Sequence, residues 1–149
     1  MLPAEFPGIA RNRSMPGGVV IPVLYYPSAV DAARWLCEAF GFSERLRIGG
    51  HRVQIDIGGA AGAVVAAMRP DAYPAAENSG HSLMVRIDDV DAHCARAQSR
   101  GARILAAPAD YPYGERQYSV ADCGGHAWTF SQTLADIDPA SWGGVEPPF

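Results

Sequence analysis

The sequence predicts an α+β fold of two tandem βαβββ modules, whose eight strands form a cupped mixed sheet with the helices on its convex face. Three observations carry that expectation. A helix signature recurs 60 positions on (Val30 to Val90), the same start and stop signals flank both copies, and three short strand candidates follow each.

The elements follow in order. Val19–Tyr26 (VVIPVLYY) is β-branched and aromatic, which predicts the first strand. Ser28 stands next as a helix N-cap, Val30, Ala33, Cys37 and Phe40 mark an apolar stripe, and Gly41 supplies the stop. Glu44–Ile48, Arg52–Ile57 and Gly62–Met68 complete module one, broken by Gly49-Gly50 and Gly58-Gly59. In the second copy His81–Ile87 is the strand and Asp88 the cap. Val90, Cys94 and Ala97 form the stripe, and Gly101 is the stop. Arg103–Ala106, Arg116–Ala121 and His126–Gln132 are its remaining strands. Val30/Val90, Asp31/Asp91, Ala32/Ala92 and Gly41/Gly101 are identical at the same shift, so the punctuation repeats along with the stripe.

This divides the chain into an N-terminal arm (1–18), module one (19–68), a Pro-containing linker (69–80), module two (81–132) and a C-terminal arm (133–149). A single βαβββ unit leaves one sheet face uncovered, and two such units form a cup suited to a ligand. Trp142 and Phe149 in the tail are expected to dock on the body or on a partner subunit.

Composition narrows the function classes. The 149 residues carry a net charge of −4 and no basic run beyond Arg11 and Arg13, which argues against nucleic acid or an anionic membrane as partner. No apolar stretch is long enough to span a bilayer, and the N-terminal residues hold no apolar signal core. Three cysteines without a CxxC predict free thiols in a reducing cytoplasm. No phosphate-binding glycine loop precedes a helix, and no Ser-His-Asp or Cys-His arrangement is indicated.

The ending Tyr113–Gln132 (YGERQYSVADCGGHAWTFSQ) and the helix segment Val30–Phe42 resemble the vicinal oxygen chelate superfamily (glyoxalase/bleomycin resistance protein/dioxygenase-like), and within it the PhnB-like subgroup. The likeness runs from Val19 to Gln132, with Cys123 standing where that ending usually has proline. Members of this superfamily with metal activity take one ligand from the first and one from the last strand of each module. The resemblance places those positions at Ile21, Ala66, His81 and Thr129, of which only His81 suits a divalent cation. No metal and no cofactor is therefore expected; Gln54, Asp56 and Glu115 are the unconventional donors if one is bound.

The expected function is metal-free binding of a small molecule in the cup, within a homodimer. The substrate-binding candidates are Tyr25, Gln54, His81, Tyr113, Arg116, Tyr118 and Thr129, which would supply stacking and a few hydrogen bonds. Arg116 has a competing role, pairing with Asp110 or Asp122 to pin its loop. His93 is expected on the surface, His126 in a structural role and Trp128 in the core. The alternative is a divergent lyase, isomerase or dioxygenase using a non-standard metal site or His81 as base. A third is a partner-binding dimer whose cup is filled by its own side chains.

Overall fold

The computed structural model describes residues 8–58, 62–72 and 80–148. Its elements run β1 (Val23–Tyr26), α1 (Ala29–Phe40), β2 (Ser43–Ile48), β3 (Arg52–Ile57), β4 (Gly62–Met68), β5 (Leu83–Arg86), α2 (Val90–Ser99), β6 (Arg103–Tyr111), β7 (Glu115–Ala121) and β8 (Ala127–Thr133). The βαβββ pattern thus appears twice. The strands hydrogen-bond as two mixed sheets of four, ordered β1-β4-β3-β2 and β5-β8-β7-β6. In each sheet the first strand lies parallel to the last, and the other pairs are antiparallel. No ladder joins the two sheets among the described residues, so the eight strands do not form one continuous hydrogen-bonded surface.

Local chemistry explains the elements. Ser28 caps α1, its hydroxyl accepting from the Asp31 amide at 3.3 Å, and Gly41 ends the helix at φ 77°. The buried face of α1 is Ala29, Ala32, Ala33, Leu36, Ala39 and Phe40, displaced from the expected stripe, with Val30 and Cys37 half-buried on its flank. Alanines let the helix axis lie close to the sheet, and close packing favours that face over the one carrying Val30.

In α2 the cap is Asp89 rather than Asp88, its carboxylate accepting from the Ala92 amide at 3.0 Å. The caps are therefore 61 apart (Ser28 to Asp89) while the glycine stops are 60 apart (Gly41 to Gly101). Strand β6 continues past Ala106 to Tyr111 and tolerates Pro108 because it is an edge strand with register shifts at Ile104/Ala106 and Ala106/Ala109.

One core serves both modules. Trp128, Tyr26, Tyr118, Phe130 and Leu36 are fully buried in it, and Phe40 at the end of α1 packs edge-on to Trp128 and Phe130 of β8. Across the helix pair, Trp35 donates to the Arg100 carbonyl at 3.2 Å and Arg96 to the Glu38 carbonyl at 2.8 Å. The modules are thus joined on their helix sides, leaving the opposite sheet faces open. Most of the expected linker lies outside the described residues. No described helix is long and apolar enough to cross a membrane.

Candidate functional site

Strand parity decides which side chains reach the open faces. On β7 and β8, Tyr118, Val120, Trp128 and Phe130 point into the core. Their neighbours Gln117, Ser119, Thr129 and Ser131 therefore point to the open face of module two, paired Ser119 to Thr129 and Gln117 to Ser131. These rungs are hydrogen-bonded, Ser119 to Thr129 at 2.8 Å and Gln117 Nε2 to Ser131 Oγ at 3.0 Å. Ser131 in turn donates to Glu115 at 2.6 Å, and the Tyr113 hydroxyl donates to Gln117 Oε1 at 3.1 Å. Arg86 of β5 donates to Thr133 at 2.8 Å. The Ser131 hydroxyl, and after it that of Thr133, holds the Glu115 carboxyl below the usual range, so it is an anion at neutral pH.

Aromatic rings stand at one end of this polar ladder. Tyr111 and Tyr113 stack with centroids 5.5 Å apart, and Trp142 lies 5.1 Å from Tyr113. Trp142 comes from the C-terminal arm, in a single 3-10 turn (Pro139–Trp142). That arm is tied to the β6–β7 hairpin by the Leu134 amide donating to the Gly114 carbonyl at 2.7 Å. Gly114 is needed there: its φ is 83°, and a Cβ would stand 2.4 Å from the Ala135 carbonyl oxygen.

The open face of module one has a different character. Its floor is Ala63, Val65 and Ala67 of β4, all buried though they face away from the helix. Tyr25 lies beside it, half-exposed, with the Arg69 guanidinium 3.9 Å above its ring. Gln54 is only 6% exposed because the N-terminal arm crosses it. Its amide donates to the Ser14 carbonyl at 2.8 Å, while Arg45 donates to Gln54 Oε1 and, at 2.7 Å, to the Arg13 carbonyl.

Of the seven residues proposed from sequence, Tyr25 and Gln54 lie on the open face of module one, and Tyr113 and Thr129 on that of module two. Arg116 and Tyr118 share the opposite, helix-facing side of β7. Arg116 holds Asp91 at 2.9 Å and Asp110 at 2.8 Å, so its loop-pinning pair includes Asp110 but not Asp122. The Tyr118 hydroxyl is buried against His93. His81 is exposed and precedes β5, two residues from Leu83, which packs on the core.

His93 itself is not a surface residue: it is half-buried, its Nε2 donating to the Phe40 carbonyl at 3.0 Å. Arg86, Gln117, Ser119 and Ser131 are not among the candidates read from sequence, where Glu115 enters only as an unconventional metal donor and Trp142 only as a docking residue of the tail. For the residues on β7 and β8, the alternation of polar and large apolar residues in ERQYSVA and AWTFSQT is the signal available for that face.

A metal site was tested on the donors present. Ala66 does not occupy a ligand position, because it pairs with Leu24 on the core face. The count from Gly62 fails since β4 begins at that glycine, whereas β8 begins two residues beyond Gly125. On the open faces, the rungs joining first and last strands are Val23/Val65 and Tyr25/Ala67 in module one, and Met84/Thr129 and Arg86/Ser131 in module two. This set holds no carboxylate, thiolate or imidazole. Among the described residues no three His, Cys, Asp or Glu side chains come together. The donors do not fit a divalent cation. Between the modules runs an apolar cleft of about 340 Å³, lined by Val20, Pro22, Ile57, Ala63, Met84 and Arg86 among others.

Comparison with known proteins agrees with this architecture. The family model described as "Glyoxalase/Bleomycin resistance protein/Dioxygenase superfamily" matches residues 19–130. TioX from Micromonospora sp. ML1 is 34% identical, covering 79% of this chain and 100% of its own, with a TM-score of 0.64. A glyoxalase/bleomycin resistance protein from Streptomyces sp. CB03234 is 27% identical over 75% of this chain and 97% of its own, with a TM-score of 0.58. Lactoylglutathione lyase from Agrobacterium tumefaciens, 16% identical over 78% of this chain and 94% of its own, shares the fold with a TM-score of 0.58. No curated protein matches the chain in sequence.

Proposed function

The chain belongs to the glyoxalase/bleomycin resistance protein/dioxygenase superfamily, and from that membership we propose that it binds a small organic molecule on its open sheet faces without a metal. One observation carries the reading. Module two presents a pre-ordered row of hydroxyl, amide and carboxylate groups from Tyr113 through Gln117 and Ser131 to Glu115, with Glu115 its one anionic donor where a metal centre would need several anionic or imidazole donors.

Because these groups already hold one another, a ligand meets fixed donors and acceptors and little ordering entropy is lost on binding. The Tyr111–Tyr113–Trp142 rings add a stacking surface at the end of the row, which suits a ligand with a planar ring and several hydrogen-bonding groups. The open faces are shallow in one chain, and a homodimer in which a second copy covers them completes the site. The three cysteines are free, which supports a reducing, cytoplasmic setting. Placement in the PhnB-like subgroup rests on the Tyr113–Gln132 ending.

A thermal-shift screen of ring-containing metabolites and antibiotics tests the reading. A ligand at 100 times its Kd raises stability by about 2.7 kcal/mol. The Gln117→Leu variant is expected to lose that rise. Stoichiometric, tightly held zinc, iron, nickel or manganese in protein purified without chelators overturns the metal-free reading.

A further inference from the structure

The N-terminal arm touches the open face of module one at a chemically specific place. Residues 12–16 form a turn of their own, with the Ser14 amide donating to Asn12 Oδ1 at 3.0 Å and the Met15 amide to the Asn12 carbonyl at 3.1 Å. Two successive carbonyls, Arg13 and Ser14, are then met by Arg45 and by Gln54. Pro16 is buried, whereas Met15 before it is 53% exposed. Gln54 and Arg45 also bond each other, which aims their remaining N–H groups at the arm. An arm held only by chance packing would not satisfy a buried amide that otherwise lacks water.

We propose that residues 12–16 are a built-in occupant of the module-one face. The Arg45–Gln54 pair is a site for adjacent carbonyl-type acceptors, filled in cis until a ligand offering such oxygens displaces the arm. The proposal rests on the reading that the open faces take a ligand, and it deepens that reading by naming the acceptor chemistry and the competitor. The replacement is balanced: the incoming carbonyls take over the N–H groups that the arm leaves, so neither side chain is stranded.

Arg13 makes the arm readable by trypsin. In the full-length protein, cleavage after Arg13 is expected to be slow. In Asn12→Ala/Pro16→Ala, which leaves every sheet residue intact, it is expected to rise at least tenfold while the protein still melts in one cooperative transition. That freed form is also expected to bind the neutral dye Nile red at least fivefold more tightly than the parent. Equal cleavage rates would overturn the proposal, as would a freed arm with unchanged dye affinity, including no dye binding by either form. A failure of the ligand reading is separable: the freed arm would still admit the dye, yet no compound in the thermal-shift screen would stabilise either protein.

Discussion

The Tyr26 hydroxyl donates to Asp122 Oδ2 at 2.6 Å across the junction between the two modules. The same carboxylate accepts from Trp128 Nε1 at 3.0 Å and from the backbone amides of Gly124 and His126 at 2.8 and 3.0 Å. Asp122 is 6% exposed, so a carboxylate sits in the interior held by four neutral donors. It closes the β7–β8 turn and fastens that turn to the end of β1. One residue thereby sets both a local hairpin and the docking of the modules.

Tyr26→Phe removes one donor and leaves the carboxylate under-satisfied. The expected loss is about 1–3 kcal/mol, the usual penalty for stranding a buried polar partner. Burial first, and the Asp122 charge second, raise the Tyr26 hydroxyl well above its ordinary value of 10.0. A group whose folded value is raised contributes stability fully below its unfolded value and loses it as pH rises beyond. Denaturant melts from pH 7 to 11 check both points. The parent is expected to lose stability above about pH 10, the ordinary tyrosine range, and the variant to start lower and fall less.

Gly124→Ala attacks the same junction sterically. A Cβ on Gly124 would lie 2.6 and 2.7 Å from two carbons of the Tyr26 ring, and that ring is fixed by its bond to Asp122. The expected destabilisation is about 1–3 kcal/mol, as for overpacking elsewhere. In the Tyr26→Leu background the same substitution is expected to cause a smaller loss, measured as a double-mutant cycle. Equal losses in both backgrounds would remove the ring as the cause.

Much of this fold was legible because strand and helix signals are local. Ser28, Gly41 and the exact spans of β3 and β4 follow from caps, stops and turn glycines, which act within a few residues. What failed depended on register between distant elements. Asp89 capping instead of Asp88 changes the repeat by one, and counting from Gly62 put Ala66 on the wrong face. A slip of one residue reverses a strand's faces.

The seven proposed site residues divide in the same way. Parity within one strand places Tyr25, and a count of four from Gly125 places Thr129, while Arg116 and Tyr118 stand as candidates for their chemistry alone and lie on the helix side. Nothing local in ARNRSMP announces that its carbonyls will meet Arg45 and Gln54.

Cys123 is exposed, yet it is expected to be a slow nucleophile. Desolvation around the sulfur, and then the neighbouring Asp122 carboxylate, push its thiol up to about 12. Thiolate is the reacting form, so little is present at pH 8. Alkylation by iodoacetamide, followed by mass spectrometry, is expected to be slower at Cys123 than for a free thiol. It should quicken with pH through 10 and beyond. Rapid alkylation at pH 8 would contradict this.

His93 links α2 to both the other module and its own sheet. A carbonyl can only accept, so the proton bonded to the Phe40 oxygen sits on Nε2, and Nδ1 is left to accept from the Tyr118 hydroxyl. The ring also lies against Phe130, centroids 4.0 Å apart. Burial, the largest influence, lowers the His93 value from 6.5, the Phe40 carbonyl opposes it, and nearby Arg96 adds to the lowering. The unfolded chain therefore binds a proton at a higher pH than the folded one. This contribution to stability is whole above about pH 6.5 and is lost as pH falls through that value towards the lower folded one. Protonation would also turn Nδ1 into a donor and force the buried Tyr118 hydroxyl to reorient without a partner for its own proton. Melting temperatures between pH 8 and pH 5 are expected to fall more steeply for the parent than for His93→Leu, which starts lower but carries no imidazole. Parallel curves for the two proteins would show that His93 titrates freely and does not sense the module junction.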